Sequence, residues 1–171
     1  MKSKDSFTRQ PELTDRRSRR KALADIALAA AVGASLVGCG SPPKPVISQI
    51  QLSISSSPDL NPDIRNRPSP VTVRVYGLKA AATFETADFF SLFEKDTATL
   101  GPDIVRREEL LLRPGETKAL ELMLPADVKA LAVLVAFRDL ERSRWRAVRA
   151  VEVGKPANLK VKVAARQVAI E

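Results

Sequence analysis

Ser48-Gln49-Ile50-Gln51-Leu52-Ser53-Ile54-Ser55 alternates polar and apolar side chains, setting Ile50, Leu52 and Ile54 on one face and Gln49, Gln51 and Ser53 on the other. Successive side chains of an extended backbone point to opposite faces, so a period of two reads as a half-buried strand. Val71-Thr72-Val73-Arg74-Val75-Tyr76 repeats the pattern, with three valines inward and Thr72, Arg74 and Tyr76 outward. Further along come Leu120, Leu122 and Leu124, then Trp145 to Val153 at alternate positions, then Leu159, Val161 and Val163 with Lys160 and Lys162 opposite. Turn formers separate them at Arg113-Pro114-Gly115-Glu116, Leu124-Pro125-Ala126-Asp127 and Gly154-Lys155-Pro156. Asp127 to Arg149 is rich in Ala, Leu and Arg and has helical propensity, but the seven apolar residues Leu131 to Phe137 fit a strand covered on both faces. The expectation is an all-β, two-sheet sandwich.

Two stretches depart from plain strands. Ser56 to Pro70 carries Pro58, Pro62, Pro68 and Pro70 among Asp59, Asn61, Asp63, Arg65, Asn66 and Arg67, which denies it a place in a sheet and stiffens it as a loop. A loop of that length in a compact domain is more often a binding surface than a spacer. Thr86 to Glu94 reads as a short helix with Thr86 as N-cap and Asp88 at the positive end of its dipole. Phe89 and Phe93 share a face of that helix, suited to docking on the sandwich.

Upstream of the first strand the chain changes character. Arg16, Arg17, Arg19, Arg20 and Lys21 precede an Ala/Leu/Val-rich run that ends in Leu36-Val37-Gly38-Cys39, followed by the proline-rich Gly40-Ser41-Pro42-Pro43-Lys44-Pro45. Basic, apolar, small, then cysteine is the order of an export signal, and Asp25 interrupts the apolar run before it reaches the roughly 20 residues of a spanning helix. The expected organisation is a signal peptide over 1–38, a lipidated Cys39 with its tether over 39–45, and a β-sandwich over 46–171. Leu36-Val37-Gly38-Cys39 resembles the bacterial lipobox, whose cysteine is acylated, with palmitate among the acyl groups, and becomes the new N-terminus. Gly40 is not the aspartate that signals inner-membrane retention in such lipoproteins, so the resemblance implies the outer membrane. Ser18-Arg19-Arg20-Lys21-Ala22-Leu23 resembles a twin-arginine signal without its usual Phe, and both export routes remain open.

Composition removes several function classes. The 171 residues include no histidine and one cysteine, which excludes a Ser/His/Asp triad, a Cys/His pair, the common zinc-binding motifs and an intramolecular disulfide. No cofactor, metal or small-molecule substrate is expected, only the covalent lipid on Cys39. The net charge is +8, but residues 1–38 hold eight Lys/Arg and four Asp/Glu, so half of it belongs to the export segment. The rest is interleaved with acids, without the basic stripe that nucleic-acid binding needs. Glu108 and Glu109 form the most suggestive carboxylate pair, yet neighbours on a strand face opposite ways, and a charged turn or edge is the better reading.

Lipobox, Leu60-Asn61-Pro62-Asp63, Arg67-Pro68-Ser69-Pro70 running into Val71 to Leu78, Ala87-Asp88-Phe89-Phe90-Ser91-Leu92-Phe93, Arg107-Glu108-Glu109, and Ala136-Phe137-Arg138-Asp139 with Trp145-Arg146 together resemble the type VI secretion lipoprotein family, TssJ. The likeness spans nearly all of 39–155. It implies a transthyretin-like sandwich with a small helical insertion, held in the outer membrane and facing the periplasm. It also implies a partner, the periplasmic domain of TssM, and through it TssL, in an envelope-spanning complex. In the family the loop between the first two strands makes the TssM contact. Transferred here, that is Ser56 to Pro70 with Asp59, Leu60, Asn61, Pro62 and Asp63 at its tip, Leu60 as apolar anchor and the two aspartates facing a basic patch. The rival from another class is a lipoprotein module that binds a small ligand or acts as a chaperone, with the aromatic helix as a lid.

Overall fold

The computed structural model describes residues 45–171. The export segment, Cys39 and the tether up to residue 44 lie outside the described residues. Eight strands, β1 (Ile47–Ser56), β2 (Val71–Leu78), β3 (Ile104–Leu112), β4 (Thr117–Pro125), β5 (Ala130–Val135), β6 (Arg146–Ala150), β7 (Ala157–Val163) and β8 (Val168–Ile170), form two four-stranded sheets. One sheet runs β4-β1-β7-β8 and the other β3-β2-β5-β6. β1 and β7 are parallel, and the other named pairs are antiparallel.

β1 follows its sequence closely. Ile50, Leu52 and Ile54 are buried between the sheets, whereas Gln49, Gln51 and Ser53 are exposed. Facing them from the other sheet are Val71, Val73, Val75, Leu131, Val133 and Val135, which completes one apolar layer. Two stacked sheets bury their inner faces in this way because neither can leave that face in water.

The second layer is where expectation and structure part. Between β2 and β3 the chain forms three short helices, α1 (Ala82–Thr86), α2 (Phe89–Glu94) and α3 (Asp96–Leu100), and a 3₁₀ turn at Gly101–Asp103. They lie on the outer face of the β2–β5 pair, with Tyr76, Leu78, Ala132 and Leu134 from the sheet packed against Phe84, Leu92 and Leu100. Arg74 and Tyr76 do face away from the valines, as the alternation requires, but the face is covered and both are buried. β5 is buried along its whole length for the same reason, as its unbroken apolar run predicts. The N-cap also differs. Asp88, not Thr86, caps α2, its Oδ1 accepting from the Ser91 amide at 3.0 Å and its Oδ2 from the Ser91 hydroxyl at 2.6 Å. Those bonds hold the Asp88 carboxyl below its usual range, the Ser91 hydroxyl being the larger cause. Thr86 instead ends α1, donating back to the Ala82 carbonyl at 3.0 Å. An aspartate is an equal or better cap than threonine, and three residues of separation from Ser91 closes the ring.

Candidate binding surface

β1 starts at the end of the sandwich where Pro45 and Val46 lead into it and finishes at the end where the long loop begins. Ten residues at about 3.3 Å each separate the two poles by about 33 Å. Besides the β3–β4 turn 113–116, which bonds to Ser56 and Ser57, the far pole gathers three connections: the loop 57–70, the β5–β6 connection 136–145 and the β7–β8 turn 164–167.

Asn61 ties all three together. Its backbone amide donates to the Ala165 carbonyl at 3.0 Å, its side-chain Nδ2 to the Pro70 carbonyl at 3.1 Å, and its Oδ1 accepts from the Arg138 amide at 2.8 Å. Its φ of +48° is a left-handed conformation that asparagine tolerates better than most residues. Leu60, next to it, is fully buried in the core between the sheets. The pair therefore pins the loop's base.

Beyond Asn61 the chain folds over Asp63. That carboxylate accepts from the amides of Arg65 at 2.8 Å and Arg67 at 2.9 Å, and pairs with the Arg67 guanidinium at 2.7 Å. The backbone bond from Arg67 and its guanidinium bring the Asp63 pKa down to about 2. A second left-handed asparagine, Asn66 at φ +58°, closes the lap. What this arrangement presents outward is Ile64, 100% exposed, with Arg65, Asn66 and Arg67 exposed beside it.

Of the five residues expected at the tip, Asp59 is exposed, Pro62 and Asp63 are partly exposed, and Leu60 and Asn61 are turned inward. Leu60 is not available as an apolar anchor, because it fills the core; the apolar side chain that the loop exposes is Ile64. Asp63 does not offer a free carboxylate to a basic patch, since both its oxygens are occupied within the loop. The sequence signal for this was Asp63 four residues ahead of Arg67, with an asparagine between them.

The aromatic helix is packed rather than lid-like. Phe89 stacks on Phe93 at 5.2 Å between centroids and meets Trp145 edge-on at 5.3 Å. The space beneath the insertion is filled by Tyr76, Phe84 and Leu92, each fully buried. Glu108 and Glu109 lie on β3, an edge strand, each paired with arginine: Glu108 with Arg106, Glu109 with Arg74 and Arg107. This is the charged edge expected of them.

The family model for type VI secretion lipoproteins (T6SS-SciN; VasD, EvfM, TssJ, VC_A0113) matches residues 48–166. Among solved structures, the T6SS lipoprotein TssJ1 from Pseudomonas aeruginosa is 33% identical, with a TM-score of 0.71 over 72% of this chain and 95% of that one. A chain in the structure of the T6SS protein TssM C-terminal domain (869–1107) from EAEC is 25% identical, with a TM-score of 0.62 over 72% of this chain and 97% of that chain. Serratia marcescens Lip, a membrane-bound component of the Type VI secretion system, shares the fold at 22% identity, with a TM-score of 0.69 over 74% of this chain and 97% of Lip. No curated protein matches the sequence.

Proposed function

The chain belongs to the type VI secretion lipoprotein family, TssJ, and from that premise we propose that it is lipidated at Cys39, faces the periplasm from the outer membrane, and holds the periplasmic domain of TssM there. It is a structural component of the secretion system and not an enzyme. The carrying observation is the polarity of β1, which puts Pro45 and Val46, the described residues that follow the proposed tether, at one pole and the loop cluster at the other, about 33 Å apart. A molecule moored at one end has its other end free to meet a partner arriving from across the periplasm.

Two further features support the reading. The loop is preformed, clasped by Asn61 and by the lap around Asp63, so binding costs little ordering entropy. The likeness to a chain solved with the TssM segment 869–1107 also fits, since 72% of this chain spans 97% of that one, much shorter than the segment itself. TssL joins the complex through TssM in this scheme.

The experiment is co-purification of the TssM periplasmic region with the full-length lipoprotein, comparing wild type with a chain lacking residues 59–63 and with Ile64→Asp. Loss of TssM in both, with circular dichroism of Ile64→Asp unchanged, is the expected result; undiminished TssM in both moves the contact to another surface. Labelling with a fatty acid addresses the anchor, because wild type should incorporate label and Cys39→Ala should not.

A further inference from the structure

The far pole carries a charge pattern that neither the fold nor the clasp explains. Arg65 and Arg67 stand on the tip, Arg138, Arg142 and Arg144 come from the β5–β6 connection, and Arg166 from the β7–β8 turn. The backbone locks these two segments together, with the Arg144 amide donating to the Arg166 carbonyl at 2.9 Å and the Val168 amide to the Arg144 carbonyl at 3.0 Å. Between tip and platform lies a cleft of about 500 Å³ lined by Ile64, Arg138, Arg142 and Arg166. A second, of about 320 Å³, continues past Arg142 and Arg166 to Arg144. The two adjoin at the Arg142 and Arg166 side chains, and together they make up a trough.

The carboxylates nearby are mostly taken. Asp63 is paired with Arg67, and Asp139 lies 3.5 Å from Arg166. Glu116, in the β3–β4 turn, is paired with Arg113 and Lys118, and Asp59 and Glu141 are the other acids at this pole. Among the described residues Arg65, Arg138, Arg142 and Arg144 make no ion pair, and all four are exposed. Guanidinium groups present fixed forks of donors that suit carboxylates two at a time.

Resting on the reading that this pole is where the partner docks, we infer that the trough receives an acidic segment of the partner, with an apolar seat for Ile64 alongside. This reverses the polarity expected from Asp59 and Asp63. An anionic lipid surface is the other common target of clustered arginines, but the tether enters at the opposite pole. Arginines placed here are aimed away from the anchoring membrane. Acidic polypeptide is the occupant the geometry favours.

The test uses the full-length lipoprotein in detergent, with the purified TssM periplasmic region as probe. Wild-type affinity should fall at least about tenfold when NaCl is raised from about 0.05 to about 0.5 M. Arg138→Glu combined with Arg142→Glu should weaken binding about tenfold or more at low salt and flatten that salt dependence. Both side chains are exposed, and melting curves matching wild type confirm the fold. Wild-type affinity in the double variant, with binding still lost in Ile64→Asp, overturns the acidic-segment inference and leaves the docking reading intact. Indifference of binding to both variants overturns both. Binding of the pole to phosphatidylglycerol vesicles, abolished by the double variant while TssM binding persists, also overturns the inference.

Discussion

Tyr76 is the only tyrosine in the chain, and the fold has placed it beneath the helical insertion with its hydroxyl 3.1 Å from Asp96 Oδ2. Burial, reinforced by the Asp96 charge and opposed by Arg74, raises its pKa from 10.0 to about 12. The folded protein thus holds the phenolic proton more tightly than the unfolded chain. The stability from this linkage is complete below pH 10 and is lost as pH rises toward about 12. Absorbance of tyrosinate near the red edge of the protein band reads this residue alone, and its midpoint should fall close to 12, coincident with loss of near-ultraviolet circular dichroism. A midpoint near 10 in folded protein would place the ring in water. Asn61 offers a second residue-scale prediction. Asn61→Ala removes two side-chain hydrogen bonds and puts a less tolerant residue at positive φ, costing about 3 kcal/mol in urea unfolding, whereas Asn61→Gly relieves the backbone and costs about 2. Alternation in the sequence correctly told which way Arg74 and Tyr76 point. It carried no information about what covers them, because a covering layer comes from a different part of the chain. Leu60 was misassigned for the matching reason: an isolated apolar residue in a proline-rich loop reads the same whether it plugs the core or faces a partner.

The helical insertion is held down not by its own helices, of five or six residues each, but by the apolar layer beneath it and by arginines from the sheet. Helices this short are not stable in isolation. Arg74 reaches up from β2, donates to the Phe93 carbonyl and to Glu109, and lies 4.2 Å below the Phe93 ring centroid. Its hydrogen bond is also the main reason the Glu109 carboxyl sits below its ordinary range. Arg146 adds a second bolt, donating to the Ala87 carbonyl at 2.6 Å and the Phe84 carbonyl at 3.1 Å. Arg74→Ala should therefore cost about 3 kcal/mol and loosen the insertion first, seen as faster amide exchange over 82–100 while β1 and β7 keep their protection. Uniform acceleration across both sheets would mean the insertion is not a separate unit. The loop behaves differently with acid. The Asp63 pKa is lowered to about 2, so the lap around it is intact above about pH 4 and opens as pH falls through about 2. Strands β1, β2, β5 and β7 were legible because each has a clean apolar face. β3 was read no further than a charged turn or edge because Arg106, Arg107, Glu108 and Glu109 interrupt the pattern on an edge strand, and three-residue β8 is too short to carry a period.

At the scale of the molecule, the proposed function rests on separation. Gly154 lies at the tether pole, where its positive φ of +74° and a Cβ position only 2.8 Å from Val46 leave no room for a side chain as the chain comes in. Ser48 fixes the same corner, accepting from the Gly154 amide at 2.8 Å. The loop proposed to bind the partner is a full strand away. Sites that far apart with no shared partners act independently. A Cys39→Ala chain should therefore bind the TssM periplasmic region within about a factor of two of wild type while partitioning away from the membrane fraction. A large change in affinity would tie the two ends together energetically.

The order of parts along β1 has a mechanical side as well. Tether, β1 and loop are consecutive in one backbone, and the strand between them is central in its sheet, flanked by β4 and β7. In the proposed scheme, traction applied between the outer bilayer and a partner held at Ile64 would run through covalent bonds from end to end. The ladders to either side would be spared shear, serving as a sleeve around a taut cord, and the load would be borne without unravelling the domain.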